Sequence, residues 1–400
     1  MSHSDASSPR GTAFERFFFR AVPVLAGVAA VFYAARPIVE RSNALKTFTP
    51  SANVASCQHI GPDVAGLEGC EDVIAHDASG TMYLACGNLR ERWSFFPPAG
   101  IAKQATPAHR DNVFTYDPVS KTVARMTLNG FSRTGNEEYR SHGIGVISDP
   151  AVKDTNIVML VNHRSDNTSS IEIFRHTIGK PEMDHVETVT HPLLYHINSV
   201  VPLSAKSFYA TSDVMGDPGT ISRMLEMTFL KPTGYVTYRN EAGEITIAAK
   251  DIPYANGIAS DPDARNVYVA SPTSHSIYVY DRQIVTGNLD LVSVINTGDV
   301  FPDNVRYDKE TGAIYTGGVL KSMEFFAMAH DPTNQELKCG WAAARFTPKS
   351  EKKLEWEKEY VVVDANAEVL STVSVATKVP GQNAVLVGGV LRGGAHLCPF

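Results

Sequence analysis

Hydrophobic and polar positions follow one recurring pattern along the chain from residue 70 onward. The pattern is a polar residue, a few mostly β-branched residues, a turn, and a strand that ends in small residues. Six copies start at Glu71, His142, Asn198, Asn256, Asp303 and Ser371, followed by strands at Met82–Cys86, Ile157–Val161, Phe208–Thr211, Val267–Ala270, Ile314–Thr316 and Ala384–Val387. Each interval of about 50 to 70 residues accommodates four strands, so the pattern predicts an all-β, six-bladed β-propeller.

The N-terminus does not share this pattern. Residues 1–13 are polar and predicted to be disordered, and residues 14–36 contain an apolar run from Ala21 to Ala35. That run is shorter than the ~20 residues of a spanning helix but long enough for the apolar part of a signal sequence. We expect an uncleaved signal-anchor helix that contacts the membrane, a linker at 37–56, and the propeller domain at 57–400. A buried apolar helix of a soluble protein is the alternative.

Composition supports a large folded core and argues against one class of partner. The 400 residues are 43% hydrophobic and 20% charged, which is typical of a globular protein. The formal net charge is −7, and no stripe of Lys and Arg with interleaved aromatics occurs in the sequence. The sequence therefore predicts no binding of nucleic acid.

Two features favour the secretory pathway. Cys57 and Cys398 flank the repeats, so a disulfide between them would close the ring of blades. Asn167 begins an Asn-Thr-Ser acceptor sequon in a polar stretch, which predicts a glycosylated surface turn. We expect a membrane-anchored or secreted protein with its propeller in the lumen or outside the cell. The other cysteines are predicted to be buried small side chains: Cys70, Cys86 and Cys339.

The polar residues of the repeats predict a calcium centre. A fixed phase places them at equivalent points of equivalent strands, so a closed ring brings them together on its axis. Each alone has a structural explanation; Asn256 before Gly257, for example, is typical of a turn. Together they form an oxygen-rich cage for a hard cation, with water or substrate completing the shell. The five predicted ligands are Glu71, Asn198, Asn256, Asp303 and Asn304.

Two histidines of the second repeat lie at or near the position of the predicted ligands. His142 occupies the ligand position of the second repeat, and His163 follows the next strand of the same repeat. A single histidine in a strand is more often structural. An acid–base group beside a metal is, however, what ester hydrolysis requires, so we assign both to catalysis.

These residues lie in six short motifs: Gly69-Cys70-Glu71-Asp72, Ser141-His142-Gly143-Ile144, Asn162-His163, Ile197-Asn198-Ser199-Val200, Tyr254-Ala255-Asn256-Gly257-Ile258 and Asp303-Asn304-Val305. Taken together, the motifs resemble the serum paraoxonase/arylesterase family from about Cys57 to Cys398. The resemblance implies a propeller with one catalytic and one structural calcium in a central tunnel, and activity on lactones, aryl esters and some phosphotriesters.

For the catalytic calcium, the resemblance implies the five cage residues as ligands. Ca²⁺ would polarise the substrate carbonyl, and His142, oriented by His163, would take the proton from attacking water. Asp303 is the alternative base or nucleophile.

For the structural calcium, the resemblance implies Asp72 and the carbonyl oxygen of Ile144 as ligands. The aspartate expected after Asn198 is Ser199 in this chain, which removes one negative charge. We therefore expect the second ion to bind poorly.

The expected function is hydrolysis of a small lactone or ester. Two alternatives remain at this point. One is a propeller that resembles strictosidine synthase or the gluconolactonases, and the other is a membrane-tethered propeller without catalytic activity.

Overall fold

The computed structural model describes residues 36–87, 110–131, 138–164, 168–216, 221–228, 230–331, 334–350 and 354–400. The chain divides into two compact units, 1–46 and 47–400. The described part of the first unit begins with a short helical segment, in which Arg36 Nε forms an ion pair with Glu40 Oε1 at 2.7 Å. The predicted tail 1–13, all but the last residue of the hydrophobic segment 14–36, and Asn167 lie outside the described residues. None of the described helices has the length and apolar character that a membrane span requires.

The second unit is a ring of six sheets, which confirms the predicted six-bladed propeller. A short strand β1 (Gln58–His59) precedes the first blade. Blade 1 contains β2 (Cys70–Ala75), β3 (Met82–Cys86), β4 (Asn112–Asp117) and β5 (Thr122–Arg125). Blade 2 contains β6 (Thr127–Asn129), β7 (Ser141–Ser148), β8 (Thr155–His163), β9 (Ser169–Thr177) and β10 (Glu182–Val189). Blade 3 contains β11 (Ile197–Pro202), β12 (Phe208–Ser212), β13 (Gly234–Arg239) and β14 (Ile245–Ile252).

The other three blades repeat this arrangement. Blade 4 contains β15 (Ile258–Ser260), β16 (Asn266–Ser271), β17 (Ser276–Arg282) and β18 (Leu289–Asn296). Blade 5 contains β19 (Phe301–Tyr307), β20 (Ile314–Val319), β21 (Trp341–Pro348) and β22 (Trp356–Asp364). Blade 6 contains β23 (Val373–Lys378), β24 (Ala384–Gly389), β25 (Ala395–Pro399) and β1. The inner strands β2, β7, β11, β15, β19 and β23 contact one another in sequence around the axis, and β23 returns to β2.

The two ends of the propeller are joined in blade 6. Strand β1 pairs antiparallel with β25, so the chain that leads into the first blade completes the last one. A 3-10 helix (Ala52–Ser56) precedes β1, and Asn53 Nδ2 donates to the carbonyls of Val361 and Pro399. Cys57 and Cys398 form the predicted disulfide across a sequence separation of 341 residues.

The core lies between neighbouring blades, and the alternation of side chains along β3 shows how. Met82, Leu84 and Cys86 pack in a cluster with residues of blade 6, whereas Tyr83 and Ala85 pack in a cluster with residues of blade 2. All five side chains are completely buried. Successive residues of a strand face opposite sides of the sheet, so an uninterrupted apolar strand serves both neighbours.

The prediction that Cys70 and Cys86 are simple buried side chains is wrong in one respect. Both are completely buried, but they form a second disulfide, because the register of β2 and β3 places them opposite each other. Cys339, the fifth cysteine, is buried and carries a thiol.

Candidate metal centre and histidine pair

The predicted ligands lie where the inner strands lose regular register with their neighbours. The irregularities in β2, β7, β11 and β19 span Glu71, His142, Asn198 and the pair Asp303 and Asn304. In a regular strand, neighbouring side chains face opposite sides of the sheet. An extra residue in a bulge redirects them, which allows consecutive residues such as Asp303 and Asn304 both to contact other inner segments.

Hydrogen bonds connect these residues across the tunnel. Asn304 Nδ2 donates to Glu71 Oε1 at 2.7 Å and to the main-chain oxygen of Glu71 at 3.2 Å, which links blades 5 and 1. Asn256, just before β15, donates to the carboxylate of Asp303. His142 Nε2 lies 3.8 Å from Glu71 Oε1. The structure thus brings residues of blades 1, 2, 4 and 5 together at one end of the tunnel.

Asn198 enters the same region from blade 3. Its main-chain oxygen lies against Gly143, where an added methyl group would be only 2.7 Å away. The adjacent Ser199 Cα would be 2.6 Å from that methyl group. A glycine at 143 is therefore required for β7 and β11 to approach this closely, and the approach positions Asn198 beside His142.

Three amide oxygens at this end of the tunnel fit a bound cation. The Oδ1 atoms of Asn198, Asn256 and Asn304 are buried and accept no hydrogen bond from any of the described residues. Leaving a buried acceptor without a partner costs about 1–3 kcal/mol. Carboxylate and amide oxygens are the ligands that calcium prefers, so a calcium ion would satisfy all three amides at once. No three His, Cys, Asp or Glu side chains among the described residues form a metal cluster, and amides supply three of the five donors here.

The environment of Asp303 also favours a positive partner. Burial raises the pKa of its carboxyl to about 7, and the negative charge of Asp72 adds to this, while the hydrogen bond from Asn256 opposes it. A cation beside the carboxylate would favour its charged form.

The two predicted histidines are hydrogen-bonded to each other. His142 Nδ1 and His163 Nε2 are 2.8 Å apart, and both side chains are buried. His163 Nδ1 lies 3.2 Å from Ser169 Oγ. Ser169 is not among the site residues predicted from sequence; the available signal is its position across the β8–β9 hairpin, where it pairs with His163.

Asp72 and Ile144, the predicted ligands of a second ion, also meet in the tunnel. The amide nitrogen of Ile144 donates to Asp72 Oδ2 at 2.9 Å, and the guanidinium of Arg306 forms an ion pair with Asp72 Oδ1. Ser199 is completely buried nearby in β11. Arg306 is not among the site residues predicted from sequence, although its spacing of two residues from Asn304 indicates the same face of β19.

Two helices lie on connections that leave the sheets at the end of the tunnel where the ligands converge. Helix α1 (Ile221–Thr228) follows β12, whose last residue, Ser212, pairs with Ile197 at the start of β11. Helix α2 (Ser322–His330) follows β20, whose Val319 pairs with Phe301. Helix α2 is rich in Met and Phe.

Several known proteins are similar to this chain. The sequence profile of the Arylesterase family matches residues 70–392. Serum paraoxonase/arylesterase 1 of Homo sapiens is 30% identical over 219 residues, 54% of this chain and 59% of the human protein. Serum paraoxonase/lactonase 3 of Oryctolagus cuniculus is 30% identical over 280 residues, 68% of this chain and 73% of the rabbit protein. A solved gluconolactonase of Xanthomonas campestris covers 88% of this chain and 95% of its own, with a TM-score of 0.49 and 13% identity.

The extent of these matches differs from relative to relative. The chain spans about half the length of several of the curated relatives it matches, for example 54% of serum paraoxonase/arylesterase 1 of Mus musculus. The family profile, by contrast, begins at Cys70, beside Glu71, and ends at Arg392 in blade 6, so it includes every inner strand. On the strength of that match, this chain belongs to the arylesterase family.

Proposed function

We propose that this protein is a calcium-dependent hydrolase of lactones and aryl esters. The observation that carries the proposal is the group of three buried amide oxygens, from Asn198, Asn256 and Asn304, beside two carboxylates and a bonded histidine pair. Membership of the arylesterase family supports it, as do relatives named as an arylesterase and a lactonase.

The donor set suits one calcium ion. Glu71 and Asp303 would supply two negative charges, and the three asparagines would supply neutral oxygens; water or substrate would complete the six to eight oxygens that calcium takes. When bound, the ion would polarise the carbonyl of a lactone or ester and stabilise negative charge on its oxygen. Within the chain, the hydrogen bond between Asn304 and Glu71 holds one ligand on blade 5 and one on blade 1 at a fixed separation.

The histidine pair would accept a proton from the attacking water. If His142 Nδ1 donates to His163 Nε2, the lone pair of His142 lies on Nε2, the nitrogen on the Glu71 side of the ring. His142 Nε2 would then accept the proton of the attacking water. His163 Nδ1 would donate to Ser169 Oγ, which fixes the tautomer of both rings.

We propose that the propeller folds in an oxidising compartment and is held there by residues 14–36. Two disulfides favour such a compartment. Carbonate extraction of membranes from expressing cells tests the anchor: a protein with a spanning segment stays with the lipid, whereas release into the soluble fraction would refute it.

The hydrolase proposal is tested with purified protein on phenyl acetate and on a γ- and a δ-lactone. We expect activity with calcium, loss of activity in EGTA, and recovery when calcium is restored. His142→Gln should lose most of the activity, whereas His191→Gln, a matched change at an exposed histidine, should retain it. Absence of hydrolysis of all three substrates by calcium-loaded protein would favour a binding propeller and overturn the proposal.

A further inference from the structure

The tunnel contains a buried arginine that no part of the proposed reaction uses. Arg306, in β19, is only 5% exposed. Its Nε donates to the main-chain oxygen of Val73 at 2.8 Å and its Nη1 to the main-chain oxygen of Val305 at 2.7 Å. Its Nη2 forms the ion pair with Asp72 Oδ1. All three nitrogens of the guanidinium are therefore engaged, and the group joins blade 5 to blade 1.

Three donors of the chain bind the carboxylate of Asp72. Besides Arg306, the amide of Val73 donates to Oδ1 and the amide of Ile144 donates to Oδ2, each at 2.9 Å. Asp72 is completely buried, so these donors replace the water it would otherwise need. A metal ion near either oxygen would face N–H groups and a positive guanidinium, none of which can act as a ligand.

The third group expected around a second ion is also unsuitable. Ser199 is completely buried, and its hydroxyl oxygen has no hydrogen-bond partner among the described residues. A methyl group added at Gly143, next to Ile144, would lie 3.0 Å from this hydroxyl oxygen. A serine brings no negative charge, and the carboxylate of Asp72 is already paired with Arg306. The residues present do not fit the structural calcium that the family resemblance implies.

We propose that the guanidinium of Arg306 takes the place of the second cation, so that this protein holds one calcium ion in its tunnel. A planar guanidinium matches a carboxylate and main-chain carbonyls in the way that a cation coordinated by oxygen does. Unlike a bound ion, it is covalently attached to the chain. The contact between blades 1 and 5 therefore persists when a chelator removes calcium.

The test is a count of bound calcium by isothermal titration calorimetry and metal analysis. Wild-type protein should bind no more than one ion in the tunnel. Ser199→Asp combined with Arg306→Met restores a carboxylate and removes the competing charge, so this variant should bind one ion more than wild type. A wild-type count of two, or a folded double variant with the same count as wild type, would overturn the proposal.

A matched control isolates the effect of Arg306. Arg175 forms a peripheral ion pair with Asp149 at 2.9 Å, so Ser199→Asp with Arg175→Met makes the same two kinds of change but keeps the guanidinium in the tunnel. This control should gain no ion, and a gain would contradict the role of Arg306. If the Arg306→Met variant does not fold, the wild-type count and the Ser199→Asp count decide: a second ion in either would overturn the inference.

The measurement does not use catalytic activity. The contacts between Asp72 and Arg306 do not depend on the proposed hydrolysis. Failure to hydrolyse esters would contradict the proposed function alone, while a second calcium would contradict this inference alone.

Discussion

Two adjacent groups of residues on and beside the inner strands lie in the tunnel, and they differ in how their buried oxygen atoms are satisfied. We call Glu71, Asn198, Asn256, Asp303 and Asn304 the outer level, and Asp72, Ile144 and Arg306 the inner level. At the outer level, the oxygens of Asn198, Asn256 and Asn304 are buried and accept no hydrogen bonds from the described residues. At the inner level, Asp72 accepts bonds from two amides and an arginine. Among the described residues, the first level supplies no donors to three amide oxygens, whereas the second supplies Asp72 with three donors, one of them cationic.

The difference arises from single positions along shared strands. Glu71 and Asp72 are neighbours in β2, and Asn304 and Arg306 are separated by one residue in β19. A neutral residue such as Asn304 leaves the nearby carboxylates to be balanced by a bound metal ion. A cationic residue such as Arg306 balances the nearby carboxylate itself. A fold that positions ligands from several blades can lose one metal site without losing the other, because each depends on its own side chains.

Removing calcium should give the largest effect, and it should affect the outer level but not the inner level. In EGTA, hydrolysis of phenyl acetate should fall below detection and the thermal midpoint should drop, since an ion present at 1,000 times its dissociation constant stabilises by about 4 kcal/mol. Circular dichroism should still show the β-propeller, because the ion pair at the inner level does not depend on calcium. Full activity in EGTA would contradict the assignment of the outer level as a metal centre.

His142→Gln should have the next largest effect, confined to the rate. Glutamine can form a hydrogen bond but cannot act as a base, and loss of a general base typically costs about 100- to 10,000-fold in rate. Calcium content and thermal midpoint should stay at wild-type values, since His142 is not a proposed ligand. Near-full activity of this variant would make Asp303 the better candidate for the base.

Asp72→Asn should destabilise the protein in a manner that calcium cannot correct. The change leaves the buried guanidinium of Arg306 without its carboxylate, and removing one partner of a buried ion pair costs about 3–5 kcal/mol. Glu71→Gln, its neighbour, should instead lower calcium affinity, so that high calcium recovers the loss of stability. Urea unfolding at two calcium concentrations distinguishes them; recovery of Asp72→Asn by calcium would show that the inner level binds an ion.

The comparison also shows how much of the molecule the sequence specifies. The phase of Glu71, Asn256 and Asp303 relative to the following strands was enough to predict the six blades and the convergence of the polar residues. That inference works because each repeat has the same strand order, so a position in sequence fixes a position around the axis. The pairing of Cys57 with Cys398 followed from their places at the two ends of the repeats.

What could not be predicted depends on bulges and on side-chain direction. Regular alternation predicts opposite faces for Cys70 and Glu71, but it gives no register for β2 against β3, and so it did not reveal the Cys70–Cys86 disulfide. Arg306 was missed because a long charged side chain in a strand is usually solvated. Only the structure shows its guanidinium directed at Asp72 in another blade.

Ser169→Ala should have the smallest effect and tests whether the histidine pair is held in one tautomer. Its hydroxyl is 3.2 Å from His163 Nδ1, and a hydrogen bond of this kind contributes about 1 kcal/mol, which corresponds to about a fivefold change in rate. Ser170→Ala is the matched control, because the Ser170 hydroxyl donates to Glu172 at 2.7 Å and not to His163.

A double-mutant cycle gives this prediction its decisive readout. If Ser169 acts only by orienting His163, the variant with both Ser169→Ala and His163→Gln should have the same kcat as His163→Gln alone, because residues in one network are not additive. KM should change little in either single variant, since neither side chain is proposed to bind substrate. Additive losses, or an equal loss in Ser170→Ala, would mean that Ser169 stabilises the β8–β9 hairpin and does not position the histidine pair.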